Sequence, residues 1–118
     1  MTGKTEWIIP DGFMSDTKSE NYVSHEAVCV LNLNDCNANV EIEIYFEEKE
    51  PLLGFTAVCA AKRCNHIRLD KITNRDGTRI PNGVPYAIYV KSDVPIVVQH
   101  SRMDVTQPNM TLMTTIAY

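Results

Sequence analysis

The sequence predicts an all-β domain, a single β-sandwich of jelly-roll type with about seven or eight strands. Three observations carry this. The dominant hydrophobic period is two: in Asn39 to Phe46, Val40, Ile42, Ile44 and Phe46 point one way and Glu41, Glu43 and Tyr45 the other. No segment sustains a 3.6-residue period between capping residues. Turn chemistry recurs between the apolar runs, at Asn34-Asp35, Asp76-Gly77 and Asn82-Gly83 and at Pro81 and Pro85. Several short strands separated by such turns are the signature of a sandwich or a jelly-roll barrel.

Taken in order, the N-terminal stretch contains Trp7 between polar residues and a pair of isoleucines. Asp11 to Tyr22 is polar with little pattern and is expected to be a long loop, ending in a strand-like Tyr22-Val23. Ala27 to Leu33 reads as a strand stopped by Asn34-Asp35. Asn39 to Phe46 is the clearest half-buried strand, and Glu47 to Pro51 an acidic turn. Leu52 to Ala61, Asn65 to Leu69, Tyr86 to Val90, Pro95 to Met103 and Thr111 to Tyr118 complete the expected set.

The chain has 118 residues, 44% of them hydrophobic, which fits one domain spanning 1–118. A domain of this length buries roughly two-thirds of the surface its unfolded chain exposes. The longest apolar runs are a few residues, far short of the roughly 20 that a membrane span needs. Met1 to Pro10 has one lysine and no apolar core, so no export signal is seen and a cytoplasmic location is expected. Net charge is −4, which argues against nucleic acid as a partner. The charge is uneven: residues 1–60 carry 3 basic and 11 acidic side chains, residues 61–118 carry 8 and 4. Such halves can attract each other or a neighbouring subunit. Cys29, Cys36, Cys59 and Cys64 match no zinc or redox spacing and are expected as reduced thiols. Cys64 stands beside Arg63 and near His66, the setting that favours thiol reactivity.

One local repeat stands out. Asn65-His66-Ile67-Arg68-Leu69-Asp70 and Gln99-His100-Ser101-Arg102-Met103-Asp104 both read amide-His-x-Arg-x-Asp. On a strand, His, Arg and Asp at alternate positions share one face. Each copy thus offers a base, a fixed cation and a carboxylate, or else a self-neutralising surface ladder. In the second copy the same face runs back through Val98, Ile96 and Val94, which places His100 where the core meets something polar.

The other chemistries are weaker. His25, His66 and His100 with Glu26 are of the types that hold a metal, but no two histidines have close i,i+2 or i,i+4 spacing, and no metal or cofactor is assigned. Ser24 and His25 would point to opposite faces of a strand, and no nucleophile elbow or phosphate-cradling glycine loop is present. Asn109-Met110-Thr111 fits a glycosylation acceptor by chance in a cytoplasmic protein. What remains suits recognition. Arg63, Arg68 and Arg102 can hold carboxylate or phosphate bidentately. His25, Asn32, Gln99 and Asp104 can bond hydroxyls. Trp7, the single tryptophan, is either a stacking platform or, more in keeping with its isoleucine neighbours, a core or interface residue.

These residues resemble the sensory rhodopsin transducer family. The carriers are Trp7 with Pro10 and Gly12, then Ser24-His25-Glu26 followed by Val28 to Asn32. Ala38, the alternating Val40 to Tyr45, Glu50-Pro51, Arg63, His66 and Arg68 follow. Ser92 to Asp104 is the most specific block, and Thr115 to Tyr118 agrees. The resemblance implies a soluble cytoplasmic β-sandwich that assembles as a homotetramer. It also implies either of two roles: binding of small molecules such as sugars or their derivatives, or relay of a signal from a membrane receptor. Because the sequence ends at Tyr118, a function that depends on an extended C-terminal tail is not expected.

The resulting expectation is a non-enzymatic cytoplasmic sensing module for a small, polar, anionic or hydroxylated ligand. The matching polar positions are His25, Glu26, Asn32, Arg63, His66, Arg68, Gln99, His100, Arg102 and Asp104, with Trp7 as a possible stacking residue. The alternatives are a protein-interaction adaptor that meets the cytoplasmic side of a membrane receptor and, further off, a metal-dependent enzyme. The same polar positions suit a subunit interface, and a pocket between subunits would satisfy both readings.

Overall fold

A computed structural model describes residues 2–16, 23–105 and 111–118. Its regular elements are all strands: β1 (Lys4–Gly12), β2 (His25–Asn32), β3 (Ala38–Phe46), β4 (Leu52–Cys59), β5 (Arg63–Arg68), β6 (Tyr86–Asp104) and β7 (Thr111–Ile116). The expected all-β class holds. The strand over Asn39 to Phe46 forms with the alternation read from the sequence, Val40, Ile42 and Ile44 inward.

The architecture turns on β6. Tyr86–Val90 and Pro95–Met103, expected as two strands, are one strand of 19 residues. Its first half pairs β1 on one edge and β3 on the other; its second half pairs β2 and β7. With β4 outside β3 and β5 outside β2, the result is one seven-stranded sheet curled through β6 into two halves. The passage between halves falls at Ser92 to Pro95. There the register of β1 jumps from Glu6↔Lys91 to Lys4↔Ile96, and Pro95 has no N–H to give to a ladder. The Asp93 carboxylate accepts from Asn39 N at 2.8 Å and Asn39 Nδ2 at 2.7 Å, tying this corner to β3.

Both halves bury apolar residues in one core, including Val28, Val30, Ile42, Ile44, Phe55, Ile88, Val90, Ile96 and Val98. The inward positions of β6 are all even-numbered on both sides of the corner, so the strand changes partners without turning its core face outward.

Two differences from expectation concern the N-terminal region. Lys4–Gly12 is a strand, although Pro10 and the charges at Lys4, Glu6 and Asp11 blur its alternation. Pro10 is tolerated because β1 lies at a sheet edge. The expected loop therefore begins after Gly12; part of it, including Tyr22, lies outside the described residues, as do Asn109 and Met110. The edge of β1 away from β6 meets Tyr118, whose N–H donates to Ile8 O at 2.9 Å and whose carbonyl accepts from Ile8 N at 2.6 Å.

Candidate functional site

The buried centre of the molecule is acidic. Glu26 is on β2 at an inward position and is 0% exposed. An isolated carboxylate there would be costly, and four groups converge on it. The Tyr86 hydroxyl, from the start of β6, donates to Oε1. Arg102 Nε, from its end, donates to Oε2 at 2.7 Å. The N–H of Phe13, just beyond β1, donates to Oε2 at 2.9 Å. His100 Nε2 lies 3.2 Å from Oε1, close enough for electrostatic attraction but poorly aligned for a hydrogen bond.

The topology explains the convergence. Glu26 pairs across the ladder with Arg102, and Val28 with His100, so the three polar side chains occupy adjacent inward positions on β2 and β6. Tyr86 comes from the other half of the curled sheet, 14 residues before His100 on the same strand. Its ring has room because position 12 is glycine: a Cβ there would fall 2.3 Å from Tyr86 Cε1. Gly12 sets the space, and Tyr86 uses it to reach Glu26.

Burial alone would push the Glu26 carboxyl up, but His100, the Tyr86 hydroxyl and the Phe13 N–H outweigh it and hold the group below the ordinary carboxylate range. Burial, with the Glu26 charge adjacent, pushes the Tyr86 hydroxyl far up, so it stays a donor. The Arg102 guanidinium is held firmly charged: burial opposes this, and the Glu26 contact overrides it.

Two donors are left over. Among the described residues, neither His100 Nε2 nor Arg102 Nη2 has a hydrogen-bond acceptor. His100 is 2% exposed, whereas the Arg102 side chain is 22% exposed and so reaches the surface. The carboxylate nearest Arg102 Nη2 besides Glu26 is that of Asp11, at 3.6 Å, and it is largely solvent-exposed. A cavity of about 400 Å³ is lined by Asp11, Tyr86, Tyr45 and Glu47 among others, and none of Glu26, His100 and Arg102 is in its wall. The arrangement is a fixed negative charge neutralised from one side, with donor capacity to spare just beneath the surface.

Of the residues singled out from the sequence, Glu26, His100 and Arg102 come together. The rest do not join them. Asn32 is fully buried and holds a loop: its Nδ2 donates to Cys36 O, Cys59 O and Ala60 O, and its Oδ1 accepts from Asn34. Trp7 is a core residue, its Nε1 donating to Lys4 O and Ile96 O and its ring covered by Lys4 Nζ at 4.4 Å, so it offers no open stacking face. Arg63, Gln99 and His66 are exposed. His66 and Gln99 both face Cys29 across the ladder, on the outer surface of the second half-sheet. Arg68 is bound bidentately to Asp70, both contacts 2.8 Å. His25 faces the same outer surface, its Nδ1 2.9 Å from Val23 O, and Asp104, half-buried, ends β6. The three histidines do not converge, since His100 is inside and His25 and His66 are outside. Among the described residues no group of three or more His, Cys, Asp or Glu is arranged to hold a metal.

Tyr86, Asp11 and the Phe13 N–H were missed from the sequence. The usable signal for Tyr86 was its parity with Ile88 and Val90, which places a phenol in the core and so requires a buried acceptor.

The fold and this centre define an all-β module whose two half-sheets share one long strand and enclose a carboxylate bound by His, Arg and Tyr. The sequence matches the family described as Anabaena sensory rhodopsin transducer over residues 2–118, and the chain belongs to that family. Its structure is similar to the crystal structure of Thermotoga maritima 1070, with a TM-score of 0.90, 38% identity, and coverage of 100% of this chain and 96% of that one. It is similar also to the Anabaena sensory rhodopsin transducer, with a TM-score of 0.76, 37% identity, and coverage of 84% of this chain and 96% of that one. Among curated proteins none matches.

Proposed function

We propose that this protein is a non-enzymatic, cytoplasmic signalling module that binds a small polar ligand, anionic or rich in hydroxyls, such as a sugar derivative, at the rim of the Glu26 centre. The observation that carries this is Arg102 Nη2, a buried donor without a hydrogen-bond acceptor among the described residues, beside His100 Nε2, whose nearest acceptor, Glu26 Oε1 at 3.2 Å, is already compensated. Buried donors are normally satisfied, and those left open are the natural contacts for an incoming acceptor. Glu26 then works as the anchor that orients Arg102 and His100, and Arg102, whose side chain is partly exposed although its Nη2 is buried, makes the first contact.

The test is thermal unfolding of purified protein with sugars, sugar acids, sugar phosphates and nucleotides. Ligand at about 100 times Kd adds roughly 2.7 kcal/mol of apparent stability. A shift with one ligand class in the parent protein, lost in Arg102→Ala while Arg68→Ala keeps it, supports the reading. A shift that survives in Arg102→Ala removes this site.

The second reading is an adaptor that relays a signal from a membrane receptor, and the family favours it. Here the outer face of the second half-sheet is relevant. Leu31, Ile116 and Leu112 are exposed there, level with Val97, Gln99 and Met103 of β6 in turn, and exposed apolar side chains on one sheet face suit a subunit or partner contact. We assign it to self-association into a homotetramer. Light scattering of the parent protein and of Leu31→Glu tests this: the parent should run as a tetramer and the variant as a smaller species. A monomeric parent would return the face to another partner.

A further inference from the structure

We infer that a second site, a trough on the outer face of the first half-sheet, receives a lysine- or arginine-bearing segment of a partner protein. Its lining residues include neither Arg102 nor His100, although Asp11 at its far end is 3.6 Å from Arg102 Nη2.

The trough runs across β1, β6 and β3. Its main cavity, about 470 Å³, is lined by Lys4, Glu6, Ile8, Tyr45, Tyr89 and Tyr118 among others. It continues into the cavity of about 400 Å³ that holds Asp11 and Glu47, the two sharing Tyr45 and Ala87. The ladder sets the rows of this face: Glu6 and Glu41 flank Lys91, and Ile8 and Glu43 flank Tyr89. A concavity formed by three tyrosines and an exposed isoleucine is unusual on the outside of a small domain, where large side chains usually stand singly.

Its chemistry selects the occupant. Glu6, Asp11, Glu41, Glu43 and Glu47 border it, against Lys4 and Lys91. Lys91 is engaged by Glu41 at 3.4 Å and Glu43 at 3.0 Å. The Tyr89 hydroxyl donates to Glu6 and the Tyr45 hydroxyl to Glu43, so both phenolic protons are spent inside the protein. The trough therefore has acceptors to offer and few donors. An anion would be repelled, and a neutral saccharide would find mainly acceptors. A guanidinium or ammonium group flanked by apolar residues finds carboxylates and ring faces. The chain's own lysines show that these rings accept cations: Lys4 Nζ is 4.9 Å from the Tyr118 ring centroid and Lys91 Nζ 5.6 Å from that of Tyr89.

Fluorescence anisotropy with two labelled peptides on the intact protein tests this, one alternating lysine and leucine and the other glutamate and leucine. The lysine peptide should bind, weaken as salt is raised, and lose about tenfold in affinity with Tyr89→Ala and again with Glu6→Lys. Each variant's thermal unfolding is recorded to show that it is folded. Three results would overturn the proposal: equal binding of both peptides, binding unaffected by either substitution, or displacement of the lysine peptide by a neutral oligosaccharide. A change of oligomeric state in Tyr89→Ala would also overturn it, since the trough would then be covered by a second copy of the chain.

Discussion

The two copies of the amide-His-x-Arg-x-Asp pattern are alike in sequence and opposite in structure. Both flank β2, one on β5 and one on β6. His66 faces Cys29 across the ladder and His100 faces Val28, an offset of one residue. Since side chains alternate across a strand, that offset turns one set outward and the other inward. In the first copy Ile67 takes the core position opposite Val28, and His66 and Arg68 stand on the surface. In the second, His100 takes that position, and Arg102 follows it to Glu26. The same pattern therefore makes a solvated Arg–Asp pair in one place, and in the other sets its His and Arg on a buried carboxylate from outside it, Glu26. What distinguishes them is the parity of the neighbouring apolar residues.

The sharpest test of the difference is the carboxylate. Glu26→Ala removes the acceptor for Arg102, Tyr86 and the Phe13 N–H and leaves a largely buried guanidinium with only the exposed Asp11 carboxylate near it. A loss of about 3–5 kcal/mol is expected, the cost of breaking a buried pair from one side. Chemical denaturation measures it. A loss under about 1 kcal/mol, the surface-pair range, would mean that the centre contributes no more than the Arg68–Asp70 pair. Acid should act through the same group. Glu26 is held below the ordinary carboxylate range when folded, so the unfolded chain binds its proton more readily. Its contribution is complete above the ordinary range and is lost as pH falls through the lowered value. A Glu26→Gln variant should flatten the acid limb of stability against pH. If that limb keeps its full slope in the variant, other carboxylates carry it.

Arg102→Ala comes next. It removes one charge-assisted hydrogen bond from Glu26, worth about 1.5–3 kcal/mol, while Tyr86 and the Phe13 N–H remain. The variant should stay folded and be less stable than the parent. Equal stability of Arg102→Ala and Arg68→Ala would erase the distinction between the two copies.

Much of this was legible before the structure, for a definable reason. Val94, Ile96 and Val98 share the parity of His100, so its inward direction could be read from the strand itself. The same logic applied to the first copy puts Ile67 and Leu69 inside and His66 and Arg68 outside, yet similarity to the second copy drew both into one candidate site. Asn32 was recognised as special but not for the right role, because its partners Cys36 and Cys59 are brought to it by loops and a second strand. β1 was missed because it is an edge strand, six of whose nine residues are exposed, so that it shows little alternation; its end, Asp11 and Gly12, was read into the loop. Tyr86 and Gly12 could not be paired from sequence, since 74 positions separate them and only the β1–β6 ladder, in which they are partners, brings ring and glycine together.

The smallest expected effect is also the most discriminating about the repeat. Arg68 and Asp70 form a well-aligned bidentate pair, and Arg68, with His25 nearby, holds the Asp70 carboxyl below its usual range despite the burial that opposes it. Geometry alone would rank this pair with Arg102–Glu26. Its environment does not: the Arg68 side chain is a third exposed, so water screens the attraction and solvates what a mutation leaves behind. Arg68→Ala should therefore cost about 0.2–1 kcal/mol, and His66→Ala, on the exposed outer row, within about 0.5 kcal/mol of nothing. Both are read by denaturant midpoint at unchanged slope. If Arg68→Ala instead cost as much as Arg102→Ala, the outer pair would have to be buried in the working assembly. The first copy of the pattern would then belong to a subunit interface, and the contrast between the two strands would be one between an interior and an interface.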